Sequence, residues 1–351
     1  KDPNFKAIRN DGPTRLGHTI LYDKLVNQVA TNDICMIYHA DMYLCPGALD
    51  SIEWNLRDKT IVSLTRIEPP LHPPGPEKIL EDFGIEPEEF DEDQLFAYLQ
   101  ATDGDRMHKT TEGIFAPWAF YKKDFQEING HDPLFAPQSK EDSDIFNRFQ
   151  LNGIKFIQTW EGCVYHMTCR GSRFADGAKR NPDGDVFMKN RETDEWLKQN
   201  EKATREFIRK WGHFVKHDEY LKPIIPPKYD IGFIIKNFNL ELLKGLEPWC
   251  STVYYDEKEL RSFRYADYIE MEDTSFDLYE KFKPYDNEKQ NSILVEIDGT
   301  RFTQQDMNYI QQLPEIISDS GEEGTFDLGN LNITINSLET IEKELIICKK
   351  Y

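Results

Sequence analysis

Strand-length apolar runs and helical patterns follow one another in a fixed alternation, and nothing else in the chain limits its fold as strongly. Residues 34–38 (ICMIY) form a continuous apolar run of strand length. Before it, Leu21, Leu25, Val26 and Val29 recur at helical spacing within residues 16–29. After it, Pro46-Gly47 opens a second helix reaching Trp54, and residues 61–64 read as the next strand. Such alternation predicts an α/β sheet, with residues 34–38 as a buried parallel strand.

The pattern continues on both sides. Residues 5–8 read as a short strand closed by the turn Asn10-Asp11-Gly12-Pro13. The loop PPLHPPGP (69–76) is followed by an acidic stretch, 77–100, that reads as one or two inserted helices. Residues 113–121 and 155–159 read as strands. Residues 142–152 read as a helix closed by Gly153, and 194–215 as a long amphipathic helix.

At 351 residues the chain is long for one core, and Pro223-Ile224-Ile225-Pro226-Pro227 marks the boundary. The expected division is a first domain over 1–222, a linker over 223–228 and a small α/β or α+β domain over 229–351. Strands are expected there at 231–235, 252–255, 293–297 and 331–335, and helices at 240–246 and 305–313. Acidic residues outnumber basic ones 63 to 42, a net charge of -21, which argues against nucleic acid or an anionic membrane face as the main partner. Six cysteines without a CxxC pair predict reduced thiols in a cytoplasmic setting. No apolar run approaches the ~18 residues that cross a bilayer.

Three polar clusters stand out. His39-Ala40-Asp41 ends the run at 34–38, and ligands of open α/β sheets gather at the carboxyl ends of strands. An imidazole and a carboxylate two residues apart on extended chain point the same way, which suits a shared metal or ligand. A strand returning to solvent gives the same letters. Glu141-Asp142-Ser143-Asp144 opens the 142–152 helix, where carboxylates complement the dipole and where one of them is also held rigidly enough to act as a base. Cys163-Val164-Tyr165-His166-Met167-Thr168-Cys169 offers a histidine after the 155–159 strand, but no second pair completes a zinc site.

With these segments in this order, the chain resembles family 2 glycosyltransferases of the GT-A fold. NDGPTRLGHTILYDKLVNQVATNDICMIYHADMYLCPGAL is similar to the family's helix, apolar strand and DxD motif. EGIFAPWAFYKKDFQEINGHDPLFAPQSKEDSDIFNRFQLNGIKFI is similar to its acceptor-side strand and ED-containing helix, and CVYHMTCRGSRF to its late metal-binding histidine segment. The likeness covers about residues 5–175. It implies a GT-A-like mixed sheet flanked by helices, and a Mn²⁺ or Mg²⁺ ion held by Asp41 and His166, with His39 at the first DxD position where the family usually has Asp. It further implies Asp142 as catalytic base and Glu141 beside it. Trp118, Asp144, Arg170 and Arg173 are expected to contact substrate, Trp118 by stacking on an acceptor sugar. The implied partners are a nucleotide-sugar donor and a glycan or other hydroxyl acceptor, with inversion at the anomeric carbon. The family's opening strand–helix–strand unit, which holds the nucleotide base, is not found before Phe5. A nucleotidyltransferase of similar fold and an inactive sugar-binding relative are the alternatives.

Overall fold

The computed structural model describes residues 6–12, 16–167, 178–188, 192–256, 265–285 and 288–348. It is an α/β protein of two units: Lys1–Asn200 with Lys216–Ile224 and Ile347–Tyr351, and Glu201–Val215 with Ile225–Ile346. The expected boundary at 222/223 takes no account of the 201–215 stretch. Those residues count with the second unit, where Arg209 pairs with Glu247 and Glu272 and, within its own helix, with Glu206. Among the described residues no helix is long and apolar enough to cross a membrane.

In the first unit the strands are β1 (Ile34–Ile37), β2 (Met42–Leu44), β3 (Thr60–Glu68), β4 (Lys78–Leu80), β5 (Thr110–Thr111), β6 (Trp118–Tyr121) and β7 (Lys155–His166), with a separate hairpin of β8 (Ala178–Arg180) and β9 (Val186–Met188). The helices are α1 (Gly17–Lys24, continued as a π-turn by Leu25–Val29), α2 (Ala48–Asn55), α3 (Glu92–Ala101), α4 (Asp103–Arg106), α5 (Lys122–Glu127) and α6 (Glu141–Leu151); α7 (Asp194–Trp211) runs on into the second unit. The sheet order is β1-β6-β3-β7-β2, with β4 on β3 and β5 on β7. All nine residues of β3 are buried. Its TIVSLTRIE sequence is largely β-branched and apolar, as a strand covered on both faces requires. Among the described strands of this unit only β3–β7 and β3–β4 run parallel.

Two strand expectations need correction. Residues 6–8 form no strand. The 34–37 run is an antiparallel edge strand paired only with β6, and Ile34 is 46% exposed. An apolar run alone does not separate a central parallel strand from an edge. Here the partner of β1 is β6, which returns from far along the chain and runs antiparallel to it, while β2 beyond the turn joins the other end of the sheet.

The second unit has β10 (Ile231–Lys236), β11 (Thr252–Tyr255), β12 (Phe282–Pro284), β13 (Ile293–Asp298), β14 (Gly324–Leu328) and β15 (Leu331–Ile335), with α8 (Leu240–Leu246), α9 (Tyr265–Met271), α10 (Leu278–Lys281), α11 (Gln304–Gln311) and α12 (Leu313–Ser320). Its sheet order is β12-β11-β10-β13-β15-β14, the first four parallel and the last two antiparallel. Phe233, Ile235, Val253, Ile293, Val295 and Ile333 form its dry centre.

Candidate metal centre

His39-Ala40-Asp41-Met42 is a turn between β1 and β2, closed by the Met42 N–H donating to the His39 carbonyl at 3.3 Å. The expected extended segment is therefore a reversal, with Ala40 and Asp41 at its bend. β2 pairs antiparallel with the end of β7, so that Met42 lies opposite His166 and the Met167 N–H donates to the Asp41 carbonyl at 2.9 Å. Strand pairing thus brings together residues 125 positions apart. One ligand atom each from His39, Asp41 and His166 lies within 4.8 Å of the others, the one such group of three among the described residues.

Behind His166 stands a carboxylate that the sequence reading missed. Glu68 closes β3, fully buried, and its Oε2 lies 3.1 Å from His166 Nδ1. With Nδ1 protonated and donating to Glu68, the Nε2 lone pair is left for the cluster, 3.5 Å from Asp41 Oδ2. Lys78 holds Glu68 Oε1 at 2.7 Å, and the Arg66 guanidinium lies 3.4 Å from both Glu68 and Glu77. Burial opposes ionisation of Glu68, but His166, Arg66 and Lys78 outweigh it and hold the carboxyl down to about 2. Burial likewise works against charged Asp41, and its contact with His166 reverses the balance, so it titrates below the usual range. Burial lowers His39 against the pull of Asp41. For His166 the two carboxylates win over burial and raise it.

The acid pair sits at the start of α6. Ser139 and Lys140, which lead into it, both have left-handed backbone (φ 81° and 68°), a costly conformation for non-glycine residues and one often found at functional sites. Glu141 is buried and Asp142 half-buried. Burial first, then the like charge of Glu141, push Asp142 up to about 7, while His18 pulls the other way. That histidine links the two groups: its Nδ1 is 3.5 Å from Glu141 Oε1, and its ring lies 6.4 Å from that of His39, centre to centre. Tyr22, one turn on, feels Asp142, Glu141 and Asp41 together with its own burial, and its hydroxyl titrates above the ordinary value. The acid pair and the His–Asp–His group therefore share one electrostatic neighbourhood, joined by α1.

Helix α1 is pinned there by its first residue. Gly17 has φ +73°, and a Cβ on it would fall 1.7 Å from the Pro137 carbonyl oxygen, which the His18 N–H meets at 3.0 Å. Lower on the helix, Asp23 accepts from the His131 N–H and pairs with its ring Nδ1, both at 3.0 Å.

Other expected site residues go elsewhere. Trp118 is fully buried among Phe120, Phe146 and Phe149, with no face for an acceptor. Its strand, β6, is internal in the sheet, and α6 covers the indole. Asp144 is also fully buried and accepts from Arg148 Nε at 2.8 Å, so it is an internal ion pair and not a substrate contact. Arg170 and Arg173 lie outside the described residues. A signal for what was missed did exist. Glu68 ends an apolar strand just as His39 and Asp41 do, and His18 and Tyr22 are four apart on one helix face. No protein family and no curated protein matches this chain.

Proposed function

We propose that the first unit is a metal-dependent glycosyltransferase that moves a sugar from a nucleotide-diphosphate donor to an acceptor hydroxyl with inversion, as its resemblance to GT-A enzymes of family 2 implies. The observation that carries this is the meeting of His39, Asp41 and His166 in one group, in electrostatic reach of the Glu141–Asp142 acid pair at a helix start. Two imidazoles and one carboxylate suit a first-row transition ion such as Mn²⁺ better than Mg²⁺, which prefers all-oxygen shells. Once bound, such an ion supplies Lewis-acid stabilisation of the charge on the leaving diphosphate. The same ion explains how so acidic a chain takes an anionic donor.

The chain's own residues do the rest. Glu68 fixes the ring of His166. Asp142, with its pKa near 7, takes the proton of the acceptor hydroxyl as that oxygen attacks the anomeric carbon and the bond to the diphosphate breaks. Glu141 raises the basicity of Asp142 and binds or orients the acceptor. Transfer should then rise with pH through about 7, where Asp142 loses its proton. The described cysteines are all free thiols, in keeping with a reducing, cytoplasmic setting.

A donor screen by nucleotide release, with and without EDTA, tests the proposal. Asp142→Asn should lower transfer by about 10²–10⁴-fold while leaving donor affinity within a few-fold. Near-normal turnover in that variant would remove Asp142 as the base.

One observation favours a second reading. Two histidines and one carboxylate are also the set that holds Fe(II) in oxygenases. Oxygen uptake dependent on Fe(II), without consumption of any sugar nucleotide, would establish that reading instead.

A further inference from the structure

The second unit carries a cleft that the glycosyltransferase reading does not use. In its sheet the chain leaves β10 through α8 toward β11 on one side, whereas β13, on the other side of β10, is followed by α11 and α12 and flanked by β15. Connections that diverge in this way open a crevice beyond the carboxyl ends of the two strands, the usual place for a ligand in an open parallel sheet. A cleft of about 390 Å³ lies there, lined from the α8 side by Glu241, Leu242 and Gly245 and from the α11 side by Phe302, Gln304 and Met307. The size is that of a small-molecule site.

The lining decides what fits. No lysine or arginine faces the cleft. The two helix starts that would otherwise attract a phosphate are already used. Asn239 caps α8 by accepting from the Leu242 N–H at 2.8 Å, and Thr303 and Asp306 close α11 with a reciprocal capping box. An anion therefore finds no positive side chain, and a capping side chain already stands at each helix start. Leu242, Phe302 and Met307 are only partly buried and give the cleft an apolar floor, with Phe302 its one aromatic ring. Exposed Glu241 and Gln304 supply an acceptor carboxylate and an amide that both donates and accepts. A solvated carboxylate beside a single ring is a weak cage for a cation. A flat apolar face joined to an edge of hydroxyls matches both surfaces at once.

We infer that this cleft binds an uncharged saccharide, the apolar face of a pyranose lying on Phe302 and its hydroxyls meeting Glu241 and Gln304. The cleft belongs to the second unit, and the inference does not depend on catalysis at the metal centre of the first.

Gly245 provides the test. It lies within α8 and lines the cleft, and a Cβ placed on it meets nothing within 4 Å, so the side chain of Gly245→Phe starts in open space and should fill the cleft. Ligand-observed NMR on the full chain, in EDTA, would use methyl glucoside, methyl galactoside, methyl mannoside and N-acetylglucosamine, with spermidine and pyrophosphate as charged comparisons. At least one glycoside should bind the unaltered chain, bind at least about tenfold more weakly to Gly245→Phe, and bind normally to Asp41→Asn. Gln304→Ala, a surface change that spares the fold, should weaken the same glycoside. Equal signals in Gly245→Phe, binding of only spermidine or pyrophosphate, or no binding at all would each overturn the inference. Metal-dependent nucleotide release is untouched by any of these outcomes, so the two proposals fail separately.

Discussion

In the second unit Arg209 and Glu247 are almost wholly buried, and each polar atom of the two side chains has a partner. Arg209 reaches Glu247 at 2.7 Å, Glu206 at 2.8 Å and Glu272 at 2.6 Å, while Glu247 also takes Lys281 at 2.6 Å and the Tyr268 hydroxyl at 2.8 Å. Arg205, Arg209 and Lys281 face Glu206, Glu247 and Glu272. The first unit builds the same kind of network around Glu68 with Arg66 and Lys78, and then leaves it open on one side. There His39, Asp41 and His166 come within 4.8 Å of one another, yet the one cross-contact between His166 and Asp41 is 3.5 Å, at the far end of hydrogen-bond range. A closed buried network serves the fold, and an open one has donor atoms to spare for a ligand. Charge content does not separate the two; what does is that Arg209 and Glu247 are ringed by opposite charges at hydrogen-bond distance, whereas His39, Asp41 and His166 face one another across a gap.

The comparison breaks most visibly at Arg209. Arg209→Ala would strand Glu206 in the interior and take from Glu247 one of its cations, leaving it Lys281, at a cost of about 3–5 kcal/mol measured as a fall in the denaturant midpoint. A loss under ~1 kcal/mol would show that water already solvates the network. A smaller effect, of a different kind, is expected at Glu68. Glu68→Gln keeps the shape but removes the charge behind His166, and Mn²⁺ affinity read by electron paramagnetic resonance should fall by about 10–100-fold. Glu247→Gln should leave that affinity unchanged. If Glu68→Gln instead lowers the melting temperature and spares Mn²⁺ binding, Glu68 belongs with the closed network and the contrast between the units fails.

Much of this contrast is legible in the sequence, though unevenly. Residues that act through their own element show themselves locally: Gly153 ends α6 with φ +78°, and the acid pair opens it. His39, Asp41 and His166 are marked by a shared position, the ends of apolar runs. Glu68 is marked in the same way, but its role rests on the parallel pairing of β3 with β7, which no local pattern encodes. Trp118 has the composition of a sugar platform, and only the packing of α6 over it makes it core. Asp144 was the avoidable error, since Arg148 stands four residues on, at the spacing of a helical ion pair. In the second unit the expected strands did not reveal that β13 lies beside β10, the adjacency from which the cleft follows.

The smallest expected effect concerns Asp142, and its sign is the informative part. Folded, its carboxyl is raised to about 7 by burial and by Glu141. In the unfolded chain an aspartate titrates near ~3.9. Between those values the folded state holds a proton that the unfolded chain has lost, so stability falls as pH rises from about 4 to about 7. Above that window the fold carries an ion that its surroundings disfavour. Asn cannot ionise. Asp142→Asn should therefore match the parent at pH 4 and exceed it at pH 8 by about 1 kcal/mol, or about 2–4 °C in Tm, the full shift being discounted for a carboxylate that keeps some contact with water. A base tuned toward neutrality costs the fold something, whereas in pairs such as Arg209–Glu247 the opposite charge offsets the cost of burial. Equal melting curves for the two proteins at pH 8 would mean that Asp142 ionises like any surface carboxylate, with nothing in its surroundings preparing it to take a proton.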